Sequence, residues 1–121
     1  MADSGQLGGK LYGPEKLAKL QRYLERRGIA LDPARNGSFN GVKGILELPP
    51  NPTVLNVRHE LSHMLDFRKY GKDYYKRFNS FEREEMVLDR LMKNRVWDNL
   101  NDAERNWSLL YPFGRPGGQM W

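Results

Sequence analysis

The sequence has no cysteine, only two histidines, and no apolar run near the length of a membrane span. Each shortage narrows the chemistry. Without thiols there is no disulfide framework, no thiolate metal site and no cysteine nucleophile, and the redox compartment stays open. A helix crosses a bilayer with about 20 apolar residues, so no membrane segment is expected. The opening Met-Ala-Asp-Ser-Gly-Gln-Leu-Gly-Gly lacks the basic start and apolar stretch of a secretory signal. It reads as a flexible leader or linker over residues 1–9, with one domain over residues 10–121. Long Lys/Arg blocks are missing too. The net charge of +5 permits an acidic partner, but bases interleaved with acids read as solvated helix faces and argue against nucleic acid. What is present, 39% hydrophobic and 29% charged residues, suits a small globular domain with one modest core.

Gly13-Pro14 predicts a helix to about residue 27. Leu17, Leu20, Tyr23 and Leu24 recur at helical spacing, and Gly28 stops the run. Ile29–Leu31 and Ile45–Leu48 read as short strands among Gly37, Gly41 and Gly44. The next helix opens at Asn51-Pro52, with Asn51 as cap, an apolar face of Val54, Val57, Leu61, Met64 and Leu65, and Gly71 as its end. Asn79 with Glu82 predicts a capped helix from about Phe81 to Trp97, its apolar face formed by Phe81, Leu88, Leu91 and Met92. Asn101 with Glu104 predicts a last one over Asp102–Leu110, and Pro112, Gly114 and Pro116 break the tail. This order predicts an α+β fold, mostly helical with a short β-sheet or hairpin.

The informative run is His59-Glu60-Leu61-Ser62-His63. Residues four apart stack on one helix face, so both imidazoles can meet one ion. Neutral imidazole is a good zinc ligand. Glu60 lies about 100° round the helix from His59, where a general base can take a proton from an activated water without competing for the metal. Leu61 and Leu65 are expected to bury the opposite side. By residue frequencies, a chain this long shows the pattern by chance roughly once in a few hundred sequences.

A catalytic zinc commonly has three protein ligands. With no third histidine and no cysteine, the third must be a carboxylate. Asp66 sits on the same helix, where its expected role is to orient a histidine from outside the ligand set. A separate element closes a tetrahedral site more readily, and Phe81-Glu82-Arg83-Glu84-Glu85 follows. Glu82 is committed to capping. Glu84 is preferred, since the smaller Val87 permits close helix approach, and Glu85 is the alternative. Tyr70, Tyr74, Tyr75, Tyr111 and Arg83 are candidate oxyanion donors. The Gly44–Leu48 segment is expected to be an edge strand for an extended substrate.

His-Glu-Leu-Ser-His, with a Glu-rich helix about twenty residues on, resembles the glutamate-liganded zincins. Over Leu17–Tyr111, through Arg58–Phe67 and Glu82-Arg83-Glu84-Glu85-Met86-Val87, it resembles the zincin-like metallopeptidase toxins of bacterial polymorphic toxin systems. The resemblance implies a small zincin-like fold, zinc held by His59, His63 and Glu84 (or Glu85), and Glu60 as general base. It also implies a protein or peptide substrate, a cognate immunity protein, and delivery into a target cell as part of a larger secreted toxin. Two other readings stand beside it: an intracellular metallopeptidase cleaving a repressor, and a non-catalytic basic binding module.

Overall fold

The computed structural model describes residues 4–114. The first three residues of the leader, and the predicted tail beyond Gly114 with Pro116, lie outside the described residues. The elements in order are α1 (Pro14–Glu25), β1 (Ala30–Pro33), β2 (Ser38–Asn40), β3 (Ile45–Leu48), α2 (Val54–Tyr70), α3 (Lys72–Tyr75), α4 (Ser80–Met92), α5 (Val96–Asn99) and α6 (Asp102–Leu110). A 3₁₀ turn, Tyr111–Phe113, follows. The fold is a small α+β arrangement, as expected. No helix among the described residues is long and apolar enough to cross a membrane.

β3 is the central strand of a mixed sheet, parallel to β1 and antiparallel to β2. The expectation that Gly44–Leu48 forms an edge is therefore wrong. The outer strand on that side is β2, which is only three residues long, carries one large apolar side chain, Phe39, and lies between Gly37 and Gly41. Gly41 permits the close approach of α2, since a Cβ there would lie 2.4 Å from the Phe67 ring.

α2 starts later than Asn51-Pro52 suggests. Asn51 takes a left-handed φ of 49°, tolerated by asparagine, and the Pro52 carbonyl accepts from Tyr12 N at 2.9 Å. Thr53 is the cap: its side chain accepts from Asn56 N at 3.1 Å, while Asn56 Oδ1 accepts from Thr53 N at 3.0 Å. The free N–H of Val54 is met by the Lys10 carbonyl at 2.9 Å.

Two apolar clusters flank α2. Leu20, Leu24, Ile29, Leu46 and Leu48 pack with its Val57 and Met64, whereas Val87, Leu91, Val96 and Leu100 pack with its Leu55. Leu61 joins the first cluster half-buried, but Leu65 is exposed, against expectation. The single apolar stripe of the sequence reading gives way to a helix covered on two sides.

The long helix expected to reach Trp97 is broken. Asn94 Oδ1 accepts from Val96 N at 2.9 Å, diverting the backbone into the separate α5. Met92, expected on the apolar face, is exposed. Residues 4–9 also depart from a free leader. Ser4 is buried and accepts from Asn56 Nδ2 at 2.6 Å, and the Leu7 carbonyl accepts from Asn101 Nδ2 at 2.9 Å. Gly9 sits against Glu104, with a Cβ there falling 2.1 Å from Oε2.

Met64 is fully buried in the cluster between α2 and the sheet. Met64→Ala is expected to cost about 2–5 kcal/mol of stability, read as a lower midpoint with unchanged slope in urea unfolding.

Candidate metal centre

Helical spacing and packing together assemble the site. On α2, Leu55, His59 and His63 follow at intervals of four, and on α4 Glu84, Val87 and Leu91 form the buried face. Docking Val87 and Leu91 into the cluster that holds Leu55 carries Glu84 inward with them. Glu84 Oε1 lies 3.1 Å from His59 Nε2 and 2.8 Å from His63 Nε2. Each residue offers one ligand atom within 4.8 Å of the others. Four ligands about 2.0–2.1 Å from one ion at tetrahedral angles stand about 3.3 Å apart, close to the two separations seen.

The donor chemistry fits a cation. Glu84 Oε1 is buried and near two ring nitrogens, yet takes an aligned hydrogen bond from neither. Burial would raise the Glu84 carboxyl, but the two imidazoles facing it outweigh burial and hold it well below the usual carboxylate range. His63 Nδ1 lies 3.3 Å from the Tyr75 hydroxyl. With the proton on Nδ1, given to that oxygen, the Nε2 lone pair faces inward. His59 is enclosed by rings, with centroids 5.0 Å from His63, 5.5 Å from Trp107 and 5.3 Å from Tyr111.

Glu60 faces elsewhere. It shares a stripe of α2 with Val57 and Met64, on the sheet side. Gly37, just before β2, admits it: a Cβ there would stand 2.9 Å from Glu60 Oε2. The base candidate and the histidines open into one cleft of about 270 Å³, which β2 borders through Ser38 and Phe39.

Of the other sequence candidates, Glu85 is exposed and outside the cluster. Asp66 is not a histidine partner. It is buried, and its Oδ1 accepts from Arg90 of α4. The expectation fails because Asp66 meets α4 where that guanidinium reaches it. Tyr75, Tyr111 and Arg83 line the cleft. Tyr70 and Tyr74 instead stack on each other, 5.6 Å between centroids, and pack on Phe78. Trp107 and Gly37 were not anticipated. A tryptophan one turn before Tyr111 was a signal for the first, whereas no local signal marks the second.

Two histidines with a glutamate between them, and a carboxylate from another helix at the same point, are the constellation of a metallopeptidase. The family model of metallopeptidase toxin 4 matches residues 16–113, and the chain belongs to that family. No curated protein and no solved structure matches it.

Tyr75 carries a pH signature. Burial pushes its phenol from the ordinary 10.0 up to about 12, against the lowering influence of the Arg83 guanidinium. The neutral phenol is thus favoured in the fold. Its stabilising effect is complete below pH 10 and is lost as pH climbs from 10 towards 12. Denaturant titrations at pH 9 to 11.5 are expected to show a shallower alkaline loss of stability in Tyr75→Phe than in the unaltered protein.

Proposed function

We propose that this chain is a zinc-dependent peptidase that hydrolyses peptide bonds in a protein substrate, acting as the toxic module of a larger polypeptide delivered into a target cell. The observation that carries this reading is the convergence of His59, His63 and Glu84 at one edge of a cleft that Glu60 also borders. Membership of a metallopeptidase toxin family favours it over a repressor-cleaving regulator or a non-catalytic basic module. Two imidazoles, one carboxylate and no thiolate suit zinc, with His59, His63 and Glu84 as ligands. Zinc there would supply Lewis acidity, polarising the scissile carbonyl and acidifying the attacking water.

The remaining work falls to the chain. Glu60, held on the sheet side, takes a proton from the water and returns it to the leaving nitrogen, so that the amide ends as an acid and an amine. The Tyr75 hydroxyl oxygen accepts a hydrogen bond from Nδ1–H of His63 and fixes that ring. Tyr111 and Tyr75 are the side chains placed to donate towards developing negative charge. No strand pairs with the outer edge of β2 among the described residues, so an extended substrate pairs there with its scissile bond over the cleft. A cognate immunity protein completes the reading, with acidic character complementary to the net charge of +5.

Metal analysis with peptide hydrolysis tests the assignments. Glu60→Gln is expected to keep stoichiometric zinc and lose activity by at least about 100-fold. Glu84→Gln is expected to lose most zinc, and Glu85→Gln to retain it. Full activity in Glu60→Gln would remove this residue from the mechanism. Gly37→Ala gives a subtler check, because its methyl group would meet the end of a flexible side chain rather than backbone. The variant is expected to fold and bind zinc normally while kcat falls on the order of 10- to 100-fold.

A further inference from the structure

Arg83 is the anomalous cation of the cleft. Its Nη2 donates to the Tyr75 carbonyl at 3.2 Å, and its guanidinium lies over the Tyr75 ring, 4.6 Å from the centroid. Its Nε is buried and has no hydrogen-bond partner. No carboxylate among the described residues comes within ion-pairing distance of it. Its acidic neighbours are turned away: Glu82 caps α4 through Asn79, and Glu84 faces the histidines.

The other two part-buried arginines that hydrogen-bond through their guanidinium are neutralised. Arg90 has Asp66, and Arg105 has Asp102 together with the Trp97 and Asp98 carbonyls. An arginine half-withdrawn from water, with donors left over, costs free energy unless an anion completes it. Its aromatic stacking and fixed fork suit a planar carboxylate taken by two parallel hydrogen bonds. Tyr75 relates this position to the proposed chemistry, touching His63 with its hydroxyl and Arg83 with its face.

From this geometry we propose that Arg83 forms a carboxylate-binding subsite, making the substrate a peptide with a carboxylate close to the scissile bond. The inference rests on the peptidase reading above and adds the chemical class of its substrate. The carboxylate has two possible sources with the same chemistry, an Asp or Glu side chain beside the bond or the free C-terminus of the peptide.

The experiment begins by digesting a peptide library with the zinc-loaded protein to locate cleaved bonds. Matched peptides then compare Asp or Glu with Asn or Gln beside the bond, and a free C-terminal acid with its amide. One acid member is expected to show kcat/KM about 10- to 100-fold above its neutral partner. A side-chain effect identifies an acidic residue as the determinant, and a terminal effect identifies the chain end. Arg83→Gln is expected to level that pair, Arg83→Lys to keep part of the preference, and Arg83→Glu to shift it towards Lys and Arg. Calorimetric binding of the same pairs to Glu60→Gln supplies a readout independent of turnover. Equal values for acid and neutral partners in both assays overturn the subsite. Acid-selective, Arg83-dependent binding without any hydrolysis overturns the peptidase reading and leaves the subsite standing.

Discussion

The site depends on one constraint: α2 is buried on two sides at once. The sheet and α1 press on Val57 and Met64, while α4, α5 and α6 close around Leu55. A helix docked by a single apolar face would leave either the imidazoles or Glu60 in water. Double burial brings His59, Glu60, Ser62 and Asp66 inside together. Such burial is tolerable only where polar atoms find partners. The Ser62 hydroxyl donates to the Arg58 carbonyl at 2.7 Å, Asp66 meets Arg90, and Asn56 closes the capping box and holds Ser4. Glu84 Oε1, buried beside both imidazoles with no aligned donor, marks a point where a cation would be accommodated.

The same constraint separates two tasks by one residue. His59 and Glu60 are adjacent in sequence, but a helix turns about 100° between them. His59 therefore faces α4 and the rings of Trp107 and Tyr111, whereas Glu60 faces Gly37. The proposed ligand set is positioned by helix-on-helix packing, and the proposed base by helix-on-sheet packing. Changes in the sheet can thus move Glu60 without disturbing the histidines. Changes at the α2–α4 contact act the other way.

What was legible in the sequence is what short-range physics controls. The helix over Asp102–Leu110, the capping boxes at Asn79 and Asn101, and the stops at Gly28 and Gly71 follow from local hydrogen bonding and positive φ. The pairing of His59 with His63 follows from helical period alone. What was hidden depends on partners distant in the chain. Gly44–Leu48 has the pattern of either an edge or a central strand, and only β2, too short to signal itself, decides between them. Asp66 looked available to a histidine because Arg90, 24 residues away, leaves no local trace. Ser4–Gly9 looked like a linker since its anchors, Asn56, Asn101 and Glu104, are remote.

The tyrosines between α2 and α4 show how composition misleads about chemistry while remaining consistent with architecture. The chain must leave α2 after His63 and return Glu84 to the same point 21 residues later. Gly71, at φ 82°, makes the turn, and α3 follows at once. Tyr70, Tyr74 and Phe78 then pack ring on ring, which fixes the connection. Tyr75, one residue on, points inward against Phe67 and reaches His63. Three aromatic residues thus hold the bend, and the fourth couples it to the histidine. Because α4 starts immediately after this cluster, at Ser80, the bend sets where its first turn begins and so where Glu84 arrives. Stiff rings suit that task, since a flexible link of equal length would leave the carboxylate free to sample positions beyond reach of both imidazoles.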